Sequence, residues 1–200
     1  MKVQDKFIAI VIAVRQFLEE LNAIHLVPFL SEWPSTKCMM FSNLSNSLPV
    51  LSYLPALVKT ADKKTKTLVK MIVSLANSLA WGQTYSVQDL GLGFLEKYGW
   101  TEIIGQRGPI ASDRIACGFL LLGPRVEYPQ HRHEAQEVYV PLTGKTLWLK
   151  GDQEWIYRTL GLPVYHASWE MHAMRTETVP LLVLYLWRGG DLVQKSLLLP

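Results

Sequence analysis

Cysteine is scarce in this 200-residue chain. The only two, Cys38 and Cys117, lie 79 positions apart. That spacing supplies no disulfide framework, and two free buried thiols are the expectation. Charge of one sign is lacking as well: 20 Lys and Arg stand against 17 Asp and Glu, for a net +3. The basic residues divide ten and ten between the halves and the acidic ones seven and ten. Neither half carries the basic stripe of a nucleic-acid binder. No apolar run is long enough to span a bilayer. The longest near the start, Phe7–Val14, precedes Arg15, Glu19 and Glu20 and no small-residue cleavage site. It reads as the core stripe of a helix, not as a signal peptide or membrane span. A soluble, cytoplasmic protein, monomer or homodimer, without nucleic-acid or membrane partners, is the expectation.

What is present is apolar residue. Hydrophobic residues make up 49% of the chain and charged ones 18%, enough for a sizeable core. Their spacing changes along the chain. From Lys2 to about Ala23, Phe7, Ile10, Val11, Val14, Phe17, Leu18 and Leu21 recur at three and four, an amphipathic helix. Residues 31–50, rich in Ser, Asn and Pro, read as a loop, and Leu51–Thr60 as a short helix interrupted at Pro55. Lys63–Ala80 reads as a second strong helix, with Lys63, Lys64, Lys66 and Lys70 on a solvated face. Ser86-Val-Gln-Asp89 is a capping box for a helix reaching Tyr98.

After Gly99 short apolar runs alternate with Gly, Pro and Asp: Glu102–Gly105, Ile115–Leu122, Glu137–Leu142, Thr146–Lys150, Glu154–Thr159 and Leu181–Trp187. Such spacing predicts an antiparallel sandwich or small barrel, with hairpin turns at Thr143-Gly144-Lys145 and Lys150-Gly151-Asp152. The chain divides near Gly99 into a helical N-terminal extension, 1–99, and a β-domain, 100–200. The two are expected to pack together, because the helical stripes need a cover.

Four of the five histidines fall between 131 and 172. The cluster opens His131-Arg-His133-Glu-Ala-Gln-Glu137-Val-Tyr139. Residues two apart on a strand share a face, so His131 and His133 project together, as do Glu137 and Tyr139. A bend between His133 and Glu137 would aim all four into one cavity. Two imidazoles and a carboxylate suit one divalent transition-metal ion, whether Fe, Zn, Mn, Ni or Co. His172 and His166 are the candidates for a further ligand. Arg175, three residues after His172, reads as a structural ion pair.

The pattern HxH, three residues, Glu, six residues, Gly resembles the first motif of the cupins, here His131, His133, Glu137 and Gly144. A narrower resemblance runs from about residue 81 to 190. Trp81-Gly-Gln-Thr-Tyr85, Cys117–Pro124, Tyr128–Tyr139, His172-Ala-Met-Arg-Thr176 and Leu184-Tyr-Leu-Trp187 are similar to the bacterial cupin-type dimethylsulfoniopropionate (DMSP) lyases, particularly the DddQ-like branch. The resemblance implies a mainly β fold, a cupin double-stranded β-helix behind a helical extension. It implies metal ligands His131, His133, Glu137 and His172, with Tyr139 as catalytic base and Tyr128 lining the pocket, where Tyr128 is the competing catalytic candidate for the base. His166 then has no ligand role and is expected in the second layer or at the surface. The reaction implied is β-elimination of a zwitterion to dimethyl sulfide and acrylate. The sulfonium end wants an aromatic lining, for which Trp187 and Tyr185, on one strand face, are the candidates. Alternatives are a metal-dependent cupin acting on another small acid, as dioxygenase, isomerase or lyase, and a non-catalytic small-ligand-binding cupin.

Overall fold

The computed structural model describes residues 2–36 and 47–199. Cys38 and the middle of the 31–50 loop lie outside those residues. Among the described residues five α-helices are present: α1 Val3–Glu20, α2 Val27–Ser31, α3 Leu54–Thr60, α4 Lys66–Leu75 and α5 Val87–Leu95. Eleven strands accompany them: β1 Trp81–Gly82, β2 Tyr98–Ile104, β3 Ile115–Leu122, β4 Glu127–Arg132, β5 Gln136–Pro141, β6 Thr146–Lys150, β7 Ile156–Tyr157, β8 Val164–His166, β9 His172–Thr176, β10 Leu181–Arg188 and β11 Leu197–Leu198.

The strands form two antiparallel sheets, one in the order β1-β2-β3-β10-β5-β8 and the other β11-β4-β9-β6-β7. From β3 to β6 the chain alternates between the sheets. This is the cupin barrel. Period-two alternation buries the larger sheet on both faces. Ile115, Cys117, Phe119, Leu121, Val138, Val140, Leu182, Leu184 and Leu186 join the helices in one core. Their alternating neighbours Ala116, Leu120, Leu122, Tyr139, Leu181, Val183 and Tyr185 turn into the barrel.

The helical stripes find their cover on that sheet. Phe7, Ile10, Val11, Val14 and Leu18 of α1 are buried, each contributing about 1.5–3 kcal/mol by removal from water. Buried Thr65, next to α4, donates its hydroxyl to the carbonyl of Leu142, 2.7 Å away, and fastens the layers.

Several local expectations are corrected. Pro55 does not interrupt a helix. It lies in the first turn of α3, where a missing N–H costs nothing. The Ser86–Asp89 capping box forms, but Gly91, at φ 76°, kinks α5, which stops at Leu95, and Tyr98 begins a strand. Thr143-Gly144-Lys145 is no hairpin turn, because β5 and β6 belong to different sheets. It is a crossover, and a Cβ on Gly144, at φ 77°, would meet the Pro180 carbonyl oxygen at 2.7 Å. Gly151 does lie between paired strands, β6 and β7.

Candidate active site

Strand register lays out the site. His131 of β4 stands opposite His172 of β9. Glu137 of β5 stands between Trp187 of β10 and His166 of β8, and Tyr139 opposite Tyr185. The chain leaves β4 after Arg132 and re-enters the other sheet at Gln136. That bend turns His133 inward beside Glu137.

One ligand atom each from His133, Glu137 and His172 lies within 4.8 Å of the others, and all three residues are buried. Glu137 Oε2 is 2.9 Å from His133 Nε2 and 3.2 Å from His172 Nε2. The ring of His131 packs 4.1 Å from that of His172. The other ring nitrogens decide what these contacts are. Nδ1 of His131 lies 2.8 Å from the Pro129 carbonyl oxygen, that of His133 3.0 Å from Ala135 and that of His172 2.9 Å from Glu170. A carbonyl only accepts, so in each ring Nδ1 carries the proton, and in the neutral ring Nε2 is a lone pair. At His133 and His172 that lone pair faces a carboxylate, which also only accepts, and His172 Nε2 is buried without an aligned hydrogen bond. A cation, either a proton or a metal ion, must sit between such groups. A donor set of imidazole nitrogen and carboxylate oxygen, with backbone carbonyls fixing the tautomers, fits a divalent metal ion.

The charge state agrees. Burial alone would raise Glu137, but His133 and His172 outweigh it and hold the carboxyl well below its usual range. Burial, then His172, pushes His131 well below its ordinary value. The remaining oxygen, Oε1, accepts from the Trp187 indole N–H at 2.6 Å. The Trp187 ring stacks on His133, centroids 4.1 Å apart. Trp187 therefore orients the carboxylate as well as lining the pocket.

Outside this cluster opens a pocket enclosing ≈ 480 Å³, including the part open to solvent. Glu137, Tyr139, Tyr128, Tyr185 and Trp187 line it, joined by Tyr98, Trp100, Leu120 and Thr84. The Tyr128 and Tyr85 hydroxyls are 2.9 Å apart. Burial, then the charge of Glu137, pushes the Tyr139 phenol well above its ordinary value. Among the described residues Arg107 is the one basic side chain of the lining. Its guanidinium lies 4.5 Å over Trp100 and 3.5 Å from the buried Glu102 carboxylate.

His166 is not at the surface. It is 1% exposed, stacks on His172 at 4.3 Å, and neither ring nitrogen has a hydrogen-bond partner. Burial first, then His172, takes its pKa down to about 2. Arg175 pairs with Glu127 at 2.6 Å on the exterior, an ion pair. Sequence reasoning missed Thr84, Tyr98, Trp100 and Arg107 because they arrive from the chain before the motif. Their signal was the Trp81–Tyr85 segment and the alternation of β2.

The sequence profile of the dimethylsulfoniopropionate lyases matches residues 31–183. The chain belongs to the DMSP lyase family. DMSP lyase DddQ of Ruegeria pomeroyi is 35% identical over 109 residues, 54% of each chain. DddL of Cereibacter sphaeroides is 26% identical over 145 residues, 72% of this chain and 60% of that one. The chain thus spans about half to three fifths of the length of these curated relatives. A chain from the crystal structures of the DMSP lyases RdDddP and RnDddQII superposes with a TM-score of 0.87 at 24% identity, covering 100% of both, and shares the fold. The crystal structure of the Ruegeria pomeroyi DddQ superposes with a TM-score of 0.75 at 26% identity, over 92% of this chain and 94% of that one. Among the described residues no helix is long and apolar enough to cross a membrane.

Proposed function

We propose that this DMSP lyase family member is a metal-dependent carbon–sulfur lyase that eliminates dimethyl sulfide from DMSP and leaves acrylate. The observation that carries the reading is the juxtaposition of a buried His/Glu donor set with Tyr139 and an aromatic pocket. His131, His133, Glu137 and His172 would hold one divalent ion. Bound there, the ion would put positive charge beside the substrate carboxylate and ease the negative charge that develops at the adjacent carbon.

The chain's own groups do the rest. Tyr139 stands two residues after Glu137, on the same strand face. Its oxygen, once deprotonated, takes the proton from the carbon next to the carboxylate. The C–H electron pair becomes the carbon–carbon π bond, the carbon–sulfur bond breaks, and sulfur leaves with its pair as neutral dimethyl sulfide. No acid is needed for that departure. Without a cation nearby, burial and Glu137 disfavour the phenolate. The base role therefore requires opposing positive charge, from the metal and the sulfonium. Tyr128 and Tyr185 present aromatic faces to the sulfonium, each such contact contributing about 0.5–2 kcal/mol. Trp187 holds Oε1 of Glu137, leaving Oε2 for the ion.

The helices within residues 1–99 serve, on this reading, as the cover of the barrel and not as an independent unit, while β1 and the start of β2 join the barrel's larger sheet. Supporting this, one continuous core draws on α1, α4, β3 and β10. Headspace detection of dimethyl sulfide from metal-loaded protein given DMSP tests the function. Release supports the lyase, whereas oxygen uptake without release would favour an oxygenase acting on another acid.

A further inference from the structure

Beyond β10 the chain does not leave the barrel. Gly189 and Gly190 follow in succession at φ 72° and 62°, and an added Cβ at Gly189 meets nothing within 4 Å. The chain then crosses the pocket mouth and ends on β11, where Leu197 pairs with Arg132 and Leu198 with His131. Between these anchors Leu192, Gln194 and Ser196 line the pocket, Leu192 and Ser196 being buried. Few backbone bonds hold this span. Side chains fasten it instead. Lys195 Nζ lies 2.7 Å from both oxygens of Asp89 in the first turn of α5. The Glu134 N–H donates to Gln194 Oε1 at 3.0 Å, and Arg107 donates to the Leu192 carbonyl at 3.3 Å.

We propose that residues 189–199 form a strap, hinged at Gly189-Gly190 and latched by Lys195 on Asp89, that closes the substrate pocket and supplies Gln194 as a specificity-determining contact. The proposal rests on the lyase reading for its substrate. The strap's geometry couples it at two points to the segment that carries His131 and His133, through β11 on β4 and through Glu134 in the bend that follows. With Gln194 Oε1 occupied, its amide N–H groups are the donors left for an acceptor atom of the ligand. Leu192 adds apolar wall that excludes water. The latch also has a charge logic. Lys195 Nζ lies 5.6 Å over the ring of Tyr85, whose hydroxyl meets that of the pocket residue Tyr128, and Asp89 neutralises the lysine there.

These contacts are made to bound substrate and transition state alike, so their loss is expected in KM and not in kcat. The variants are Asp89→Asn/Lys195→Met, which removes the pair without leaving a net charge, Lys195→Arg and Gln194→Ala. They are compared with the unaltered, metal-loaded full chain for DMSP turnover and for hydrogen exchange of the 191–196 amides. An exposed ion pair sets the expected size. In the double variant KM rises about two- to fivefold, kcat stays within about twofold, and the strap amides exchange faster. Lys195→Arg restores both. Gln194→Ala raises KM by about two- to tenfold, the size of one hydrogen bond. Unchanged exchange in the double variant overturns the latch. Faster exchange with unchanged KM in all variants overturns the strap as a pocket wall. Absence of dimethyl sulfide from the unaltered chain overturns the lyase reading and the strap's assignment to that substrate, while exchange still decides the latch.

Discussion

The two faces of the larger sheet are built from the same strands and do opposite things. On β10, Leu182, Leu184 and Leu186 face the helices, while Leu181, Val183 and Tyr185 face the barrel. On β5, Val138 and Val140 face the helices, while Glu137 and Tyr139 face the barrel. The helix-facing side is apolar, Leu, Ile and Val with Phe119 and Cys117. The barrel-facing side holds a buried carboxylate, Glu137, a buried imidazole, His166, and the phenols of Tyr139 and Tyr185. Stability and chemistry are thus carried by alternate residues of one strand, and a one-residue slip would exchange them.

That division can be broken from either side. The largest effects are expected from single truncations. Phe119→Ala, on the helix face, should cost about 3–5 kcal/mol of stability, read by denaturant unfolding, and leave metal content of the folded fraction unchanged. His133→Ala or Glu137→Ala should instead empty the metal site and abolish turnover, with thermal unfolding of the metal-free protein little altered. Full metal occupancy in these variants would remove both residues from the ligand set.

Next in size is Trp187→Phe, which keeps the ring over His133 and deletes the N–H that holds Glu137 Oε1. Loss of such a supporting bond should weaken metal affinity about 10- to 100-fold, measured by competition with a chelator. Unchanged affinity would leave Trp187 as pocket wall alone.

The smallest expected effect is on pH stability of the metal-free protein. Burial holds His166 and His131 neutral in the fold, whereas in the unfolded chain an imidazole takes up a proton below about pH 6.5. The unfolded state therefore binds more protons, and stability falls as pH drops below 6.5. By pH 5 His166, whose pKa lies at about 2 in the fold, costs about 2 kcal/mol. His166→Phe should flatten the decline between pH 6.5 and 5 by about that amount. An unchanged slope would mean that His166 is protonated in the fold.

Much of this contrast was legible in the sequence. The helical stripe of α1 and the strands β3, β5, β6 and β10 announce themselves by period, and HxH-x3-Glu packs three of the four proposed donors into seven residues. What was not legible depends on tertiary pairing. Nothing local distinguishes the crossover at Gly144 from a hairpin, since the difference is which sheet the next strand joins. Gly91 turned a plausible long helix into a short one, and so brought Tyr98 into the pocket as a strand residue. His166 carries no motif, and only its register opposite Glu137 shows it buried. Leu192, Gln194 and Ser196 reach the pocket by a loop whose path sequence spacing does not encode.

The most direct test of the account is turnover by the unaltered chain and Tyr139→Phe at equal metal content, with dimethyl sulfide and acrylate both quantified. The account predicts equimolar release from the unaltered chain and a kcat about 10²-fold or more lower in Tyr139→Phe, the size of a general-base contribution. Near-normal turnover in Tyr139→Phe would contradict Tyr139 as the base. Failure of the folded, metal-loaded chain to release dimethyl sulfide would contradict the account as a whole.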